Sequence, residues 1–241
     1  MAINYNRPQI VTNGLVLCLD AADVQSYGGS GTTWTDRSGN GSNGTLTNGP
    51  TFDSANGGGL AFDETNDYIN FGNATNTNFG SDNFTIECVA YIDPNVSNDT
   101  YKGLVIKKGA GAANAGYGLY YNTSKEKFLW STANGSSNSE VFSTNTWSSI
   151  ENNYAHIVMV RDSAATNNGH FYINGVYESL ASTASIKDVD NTYNLVVGAS
   201  STLYSQYYLK GKVSQVKLYN KALTASEVLQ NYNATRGRFG L

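Results

Sequence analysis

The chain has 241 residues, a net charge of −4 and only 14% charged residues, against about 25% in typical globular domains. Asn, Ser, Thr and Gly replace the missing charge, which favours strands and turns over helices. The acidic balance argues against a nucleic-acid partner, which calls for a basic patch, and no run nears the ~18 apolar residues of a membrane span.

The first strand signal is residues 14–19 (GLVLCL), a nearly continuous apolar run. Residues 21–50 are irregular and dense in Gly, Ser, Asn and Thr. A stretch of that length is expected to be functional or pinned by its own side chains. Residues 59–62 and 68–71 read as short strands around a polar turn. Residues 83–92 alternate. Phe84, Ile86, Cys88, Ala90 and Ile92 share one face, and Thr85, Glu87, Val89 and Tyr91 the other, the pattern of a half-buried strand. Residues 102–107, 116–121 and 127–130 continue as a meander. Residues 154–161 (YAHIVMVR) and 170–173 flank a turn at 164–169. Asn174-Gly175 predicts a tight hairpin, since both residues tolerate positive φ. Residues 194–198 and 208–219 complete the strand series.

One helix is predicted. Thr224 and Glu227 form a capping box. Val228, Leu229 and Tyr232 follow at helical spacing, and a stop is expected near Arg236-Gly237, after two to three turns. With three Pro, no linker and no repeat, the organisation is one domain over 14–235, with an arm at 1–13 and a tail at 236–241. Cys18 and Cys88 each sit in an apolar run and read as buried free thiols, with a disulfide open if their strands are adjacent. The tight basic features, Lys107-Lys108 and Arg236 with Arg238, read as solvated charge.

Several motifs recur in a fixed order: residues 14–20 before WTDRSGN (34–40) and GTL (44–46); GLAFD (59–63) before DYI (67–69); FTIE (84–87), YAHIV (154–158) and FYING (171–175); then LVVG (195–198), LKGKV (209–213) and VKLYNKALT (216–224) before the capped helix. This order resembles the concanavalin A-like (laminin-G-like) jelly rolls of bacterial and phage proteins. NGLVLCLDAADVQSYGG near the start and LQNYNATRGRFGL at the end are similar to structural proteins of marine, cyanophage-like tailed phages.

The resemblance implies an all-β jelly-roll β-sandwich with one short C-terminal helix. It implies a non-enzymatic virion structural protein, a capsid-decoration or head/tail surface subunit. Such a subunit is expected on the virion surface, made in the host cytoplasm without a signal peptide, and assembled as a homo-oligomer with capsid or tail proteins. The alternative is a carbohydrate-binding, lectin-like domain for host-surface polysaccharide, and a glycoside hydrolase ranks third. Hydrolysis needs two carboxylates, and the Glu-x-Asp-x-Glu triplet of jelly-roll glucanases is missing. Glu87 is alone on its strand, His156 reads as a strand residue, and His170 has no evident partner in sequence.

Four groups of residues become candidates. Glycan contact is assigned to the loop aromatics Tyr27, Trp147, Tyr204 and Tyr207, with Trp34 and Trp130 read as core. Such folds often hold one Ca²⁺ near loop carboxylates, which here are Asp36, Asp63 and Asp67. Turn capping by their side chains is the other reading, and no other cofactor is expected. Attachment is assigned to Arg7, Arg236, Arg238 and Phe239 in arms outside the sandwich.

Overall fold

The computed structural model describes residues 9–98, 101–109, 111, 114–147 and 153–241. Its strands, in chain order, begin with β1 (Leu15–Asp20), β2 (Thr33–Trp34), β3 (Gly44–Thr47), β4 (Thr51–Asp53), β5 (Gly59–Asp63), β6 (Tyr68–Asn70), β7 (Phe84–Ile92) and β8 (Tyr101–Lys108). They continue with β9 (Gly116–Asn122), β10 (Lys127–Ala133), β11 (Asn138–Phe142), β12 (Tyr154–Arg161), β13 (Gly169–Ile173), β14 (Val176–Glu178), β15 (Val196–Val197) and β16 (Lys210–Tyr219). A helix, α1 (Ala225–Phe239), follows. The strands form two antiparallel sheets. One runs β14-β13-β12-β7-β16-β5-β4, with β1 also on β16. The other runs β11-β10-β9-β8-β15-β6-β3-β2. The main core lies between them and includes Trp34, Phe84, Ile86, Leu119, Trp130, Ile157 and Leu218. Each such side chain contributes roughly 1.5–3 kcal/mol by leaving water.

The strand alternation places this core, and the outer faces carry the surprises. β7 is buried on both faces, not half-buried as its period suggested. The reason is α1, which lies across the outer face of the first sheet. Val228 joins Val158, Val160, Tyr172 and Tyr219 in a second apolar cluster beneath it. Residues 9–11 are tucked along the helix. Gln230 donates to the Gln9 carbonyl at 2.7 Å, and the Val11 N–H donates to Asn231 Oδ1 at 2.8 Å.

The hairpin turn and the helix start are where the sequence put them. Ile173 pairs with Val176, and Asn174 and Gly175 both have positive φ (52° and 75°). Thr224 caps Glu227 and is capped in return. The helix end is a correction. It runs through Gly237 to Phe239, and Gly240 supplies the left-handed cap at φ 71°. A Gly stops a helix only where a left-handed residue is needed. Here Phe239 is buried against Tyr154, ring centres 5.2 Å apart, and holds the last turn down.

The irregular stretch 21–50 contains β2 and β3 and is pinned by its own side chains, as expected. Asp36 accepts from the N–H groups of Cys18 (3.0 Å), Ser38 (2.8 Å) and Ser42 (3.2 Å). The Val16 carbonyl accepts from Ser38 Oγ, Asn40 Nδ2 and Asn76 Nδ2. These bonds cap the outer edge of β1, which would otherwise present unpaired backbone groups.

Both cysteines are free. β16 lies between β1 and β7. Cys18 pairs with Lys217 on one side of it and Cys88 with Val216 on the other, so no disulfide can span them. Lys107 and Lys108 are buried rather than solvated. Lys107 Nζ donates to the Asn73 carbonyl, Asn73 Oδ1 (2.8 Å) and the Tyr193 carbonyl (2.8 Å), and burial lowers its pKa to about 8. The two lysines therefore present no basic patch. No helix among the described residues is long and apolar enough to cross a membrane.

Candidate functional site

The outer face of the second sheet holds a tyrosine-lined pocket of about 110 Å³. Strand register builds it row by row. Phe142, Leu129 and Tyr120 lie side by side across β11, β10 and β9. The next row is Glu140, Ser131, Gly118 and, on β8, Ile106. Gly118 is required here. A Cβ at that position would meet Tyr120 Cε2 at 2.5 Å and Ile106 Cδ1 at 2.8 Å. The missing side chain lets the Tyr120 ring lie down on the sheet.

Two more rings complete the platform. Tyr101 opens β8, and Tyr207 comes from the loop before β16. The three ring centres form a nearly equilateral triangle. Tyr101–Tyr120 is 6.2 Å, Tyr101–Tyr207 is 6.1 Å with nearly parallel planes, and Tyr120–Tyr207 is 5.9 Å. Burial first, and the nearby Glu140 charge as well, raise the pKa of Tyr101, Tyr120 and Tyr207, so all three phenols stay neutral.

Two polar groups on this floor are unengaged. Ser131 Oγ is buried and has no hydrogen-bond partner, and a buried polar atom of that kind normally finds one. Glu140 is exposed, and no hydrogen bond or ion pair engages its carboxylate among the described residues. At the rim, Lys108 Nζ is turned onto the carbonyls of Gly109 (3.3 Å) and Gly111 (2.9 Å). Apolar rings, a free carboxylate and an unpaired hydroxyl suit a polyhydroxylated ring better than a purely apolar guest.

A larger groove of about 960 Å³ runs between residues 9–15, β1, β16 and α1. It is a weaker candidate, because the charges on its floor already pair with one another. Arg238 grips Asp20 with two 2.8 Å bonds, and Gln215 Nε2 donates to the same carboxylate at 2.7 Å. Burial pushes the Asp20 carboxyl up, but the Arg238 bonds outweigh it and hold the pKa below the usual value. Beside the groove, beneath α1, Glu87 is fully buried. Lys217 Nζ lies 2.7 Å from its carboxylate and His156 Nε2 3.2 Å, and Asn231 Nδ2 donates from the helix. Burial raises the Glu87 pKa, but Lys217 and His156 more than reverse this and hold it far below the carboxylate range. Glu87 thus has partners that spacing along one strand could not reveal. The same holds for His170, whose Nε2 is 3.5 Å from Asp162 Oδ2.

The sequence-derived candidates are scattered. Tyr207 lines the pocket. Tyr204 is 56% exposed but does not line it. Tyr27 is buried, donates its hydroxyl to the Gly31 carbonyl and packs on Phe52, so it offers no free face. Trp147 packs against the main core with its indole Nε1 enclosed. Trp34 and Trp130 are core, as read.

Asp36, Asp63 and Asp67 do not form one cation site. No group of three His, Cys, Asp or Glu side chains with metal-binding geometry occurs among the described residues. Asp36 is engaged by the protein's own donors. Asp63 caps Thr65, and Asp67 accepts from the Asp63 N–H. Burial, then the Asp63 charge, raises the Asp67 pKa. Among the attachment residues, Arg238 and Phe239 are held within the fold rather than in a free tail. Arg236 is exposed over the Tyr232 ring, and Arg7 lies outside the described residues.

Sequence reasoning did not pick out Tyr101, Tyr120, Ser131 and Glu140. Their signal was the Tyr and Gly alternation of residues 116–122 (GYGLYYN), which marks a site only once the register of β8 through β11 and the Ser205–Tyr207 turn packed against β8 are known.

Comparison with known proteins supports the fold. The family model described as "Concanavalin A-like lectin/glucanases superfamily" matches residues 63–229. No curated protein sequence matches the chain. The binding domain of Paraclostridial Mosquitocidal Protein 1 superposes with a TM-score of 0.70 at 18% identity, covering 92% of this chain and 52% of that one. Trypanosoma rangeli sialidase superposes in complex with the inhibitor DANA (TM-score 0.61, 19% identity) and with sialic acid (0.62, 19%). The match covers 92% and 93% of this chain and 33% of the sialidase in each case. At these identities the likeness is one of fold, and the chain spans only about a third to a half of these proteins.

Proposed function

Because the chain belongs to the concanavalin A-like lectin/glucanases superfamily, we propose that it is a glycan-binding module whose contact site is the pocket of Tyr101, Tyr120 and Tyr207. The observation that carries this reading is the platform itself, three neutral tyrosines over a floor with an unpaired Ser131 hydroxyl and a free Glu140 carboxylate. Ring faces can stack on the C–H face of a pyranose, while hydroxyls and carboxylate pair with its OH groups.

The module is proposed to be non-catalytic. Glycoside hydrolysis calls for two carboxyl groups flanking the scissile bond, and Glu140 is the one carboxylate lining this pocket among the described residues. Placement on a virion surface, implied by the resemblance of the chain ends, would carry the pocket outward as an adhesion site. Attachment would then use a face other than Arg238 and Phe239, which already have partners.

The test is a panel of oligosaccharides screened by calorimetry against the wild type, Tyr207→Ala and Tyr101→Ala, with folding checked by circular dichroism. At least one glycan is expected to bind, and each variant to weaken it by about tenfold. No binding across the panel, or unchanged binding by both folded variants, would refute the assignment. Release of reducing sugar from a bound glycan would overturn the non-catalytic part.

A further inference from the structure

We propose that the sugar selected by this pocket carries a free amino group, held as its ammonium against Glu140. The inference rests on the glycan reading above and names the class of sugar. It starts from how charge is distributed over the molecule. Most buried or half-buried ionic groups are engaged. Lys107 and Arg161 are wrapped by backbone carbonyls, Asp20 holds Arg238, and Glu87 holds Lys217. Glu140 differs. Its carboxylate has no hydrogen-bonded or ion-paired partner among the described residues, yet it stands at the edge of a concave, ring-lined site.

The surroundings favour a positive guest. The partly exposed rings of Tyr101 and Tyr207, packed on the buried Tyr120, add the negative side of their quadrupoles to the carboxylate, an arrangement that attracts ammonium groups. The one cation lining the pocket among the described residues, Lys108, feels the Glu140 charge, but its Nζ is already tied to the Gly109 and Gly111 carbonyls. It does not close an ion pair with Glu140. The buried Ser131 Oγ, cross-strand partner of Glu140, lies beneath the pocket floor with no hydrogen-bond partner. An N-acetyl group would remove the charge that Glu140 complements. A sugar carboxylate would face repulsion. A neutral hexose would offer the carboxylate hydroxyl donors but no opposite charge, and so would lack the Coulomb attraction that an ammonium adds.

The test uses three soluble oligomers of matched length, of glucosamine, N-acetylglucosamine and glucose. Each is titrated into the full chain at about pH 6, below the ordinary amine range. The glucosamine oligomer is expected to bind at least tenfold more tightly than the other two. Glu140→Gln should remove that advantage by weakening the glucosamine oligomer at least tenfold more than it weakens either of the other two, whereas Tyr207→Ala should weaken all that bind. Equal or tighter binding of the acetylated or neutral oligomer, or a Glu140→Gln effect equal across all three, overturns the inference while leaving the glycan reading intact. Failure of all three to bind, together with an empty panel in the wider screen, overturns the glycan reading and this inference with it.

Discussion

Replacing Glu87 by Gln perturbs the buried cluster beneath α1 at its centre. Glu87 and Lys217 are 1% and 3% exposed, with nitrogen and oxygen 2.7 Å apart. Glutamine keeps the shape and removes the charge. Lys217 keeps only neutral acceptors, the new amide oxygen and Gln215 Oε1 at 3.2 Å, and loses its counter-charge, and Asn231 loses a charged acceptor. Stranding one member of a buried ion pair costs about 3–5 kcal/mol. For a chain of this length each kcal/mol moves the melting temperature by about 2–4 °C, so a drop of roughly 6–20 °C is expected by differential scanning calorimetry at pH 7.

The sign with pH is fixed. The folded pKa of Glu87 lies below its unfolded value. Its contribution is therefore complete above the unfolded value of about 4.3 and is lost as pH falls below it. The gap between the wild type and Glu87→Gln should narrow on acidification. The double variant Glu87→Leu/Lys217→Met removes both charges and should recover at least half of the loss, since apolar replacement of a whole pair is often neutral. A cost at pH 7 under about 1 kcal/mol, the size for solvated pairs, or a gap that widens in acid would refute the reasoning.

Other consequences are equally direct. Phe239→Ala should cost about 3–5 kcal/mol in urea unfolding, because the ring is buried against Tyr154 and Val89; a free tail would cost nothing. Asp36→Ala should destabilise by at least about 1–3 kcal/mol by stripping acceptors from three backbone N–H groups, and added Ca²⁺ should not reproduce the wild-type melting temperature. Cys18, expected to be buried, is only half-buried on the wall of the large groove and should react slowly with a disulfide reagent in the native protein, whereas the buried Cys88 should react only after denaturation. Burial pushes Cys18 up to about 11 and raises Cys88 still further, and rapid labelling of the native protein would contradict this.

Local chemistry was legible from the residues alone. Asn174-Gly175 can take positive φ wherever it sits, Thr224 and Glu227 cap a helix through contacts three residues apart, and the alternation of residues 84–92 separates two faces. The motif order likewise pointed to the sandwich that the family match supports. What covers an outer face was not legible, because periodicity reports that two faces differ and says nothing about what docks on them. So β7 read as half-buried until α1 was seen across it, Lys107 and Lys108 read as solvated until carbonyls were found around them, and Phe239 read as a free anchor until Tyr154 was found beneath it. The pocket is the strongest case. Tyr101, Tyr120, Ser131, Glu140 and Tyr207 come from four strands and a loop, and only the register of β8 through β11, with the Ser205–Tyr207 turn packed against β8, brings them to one place.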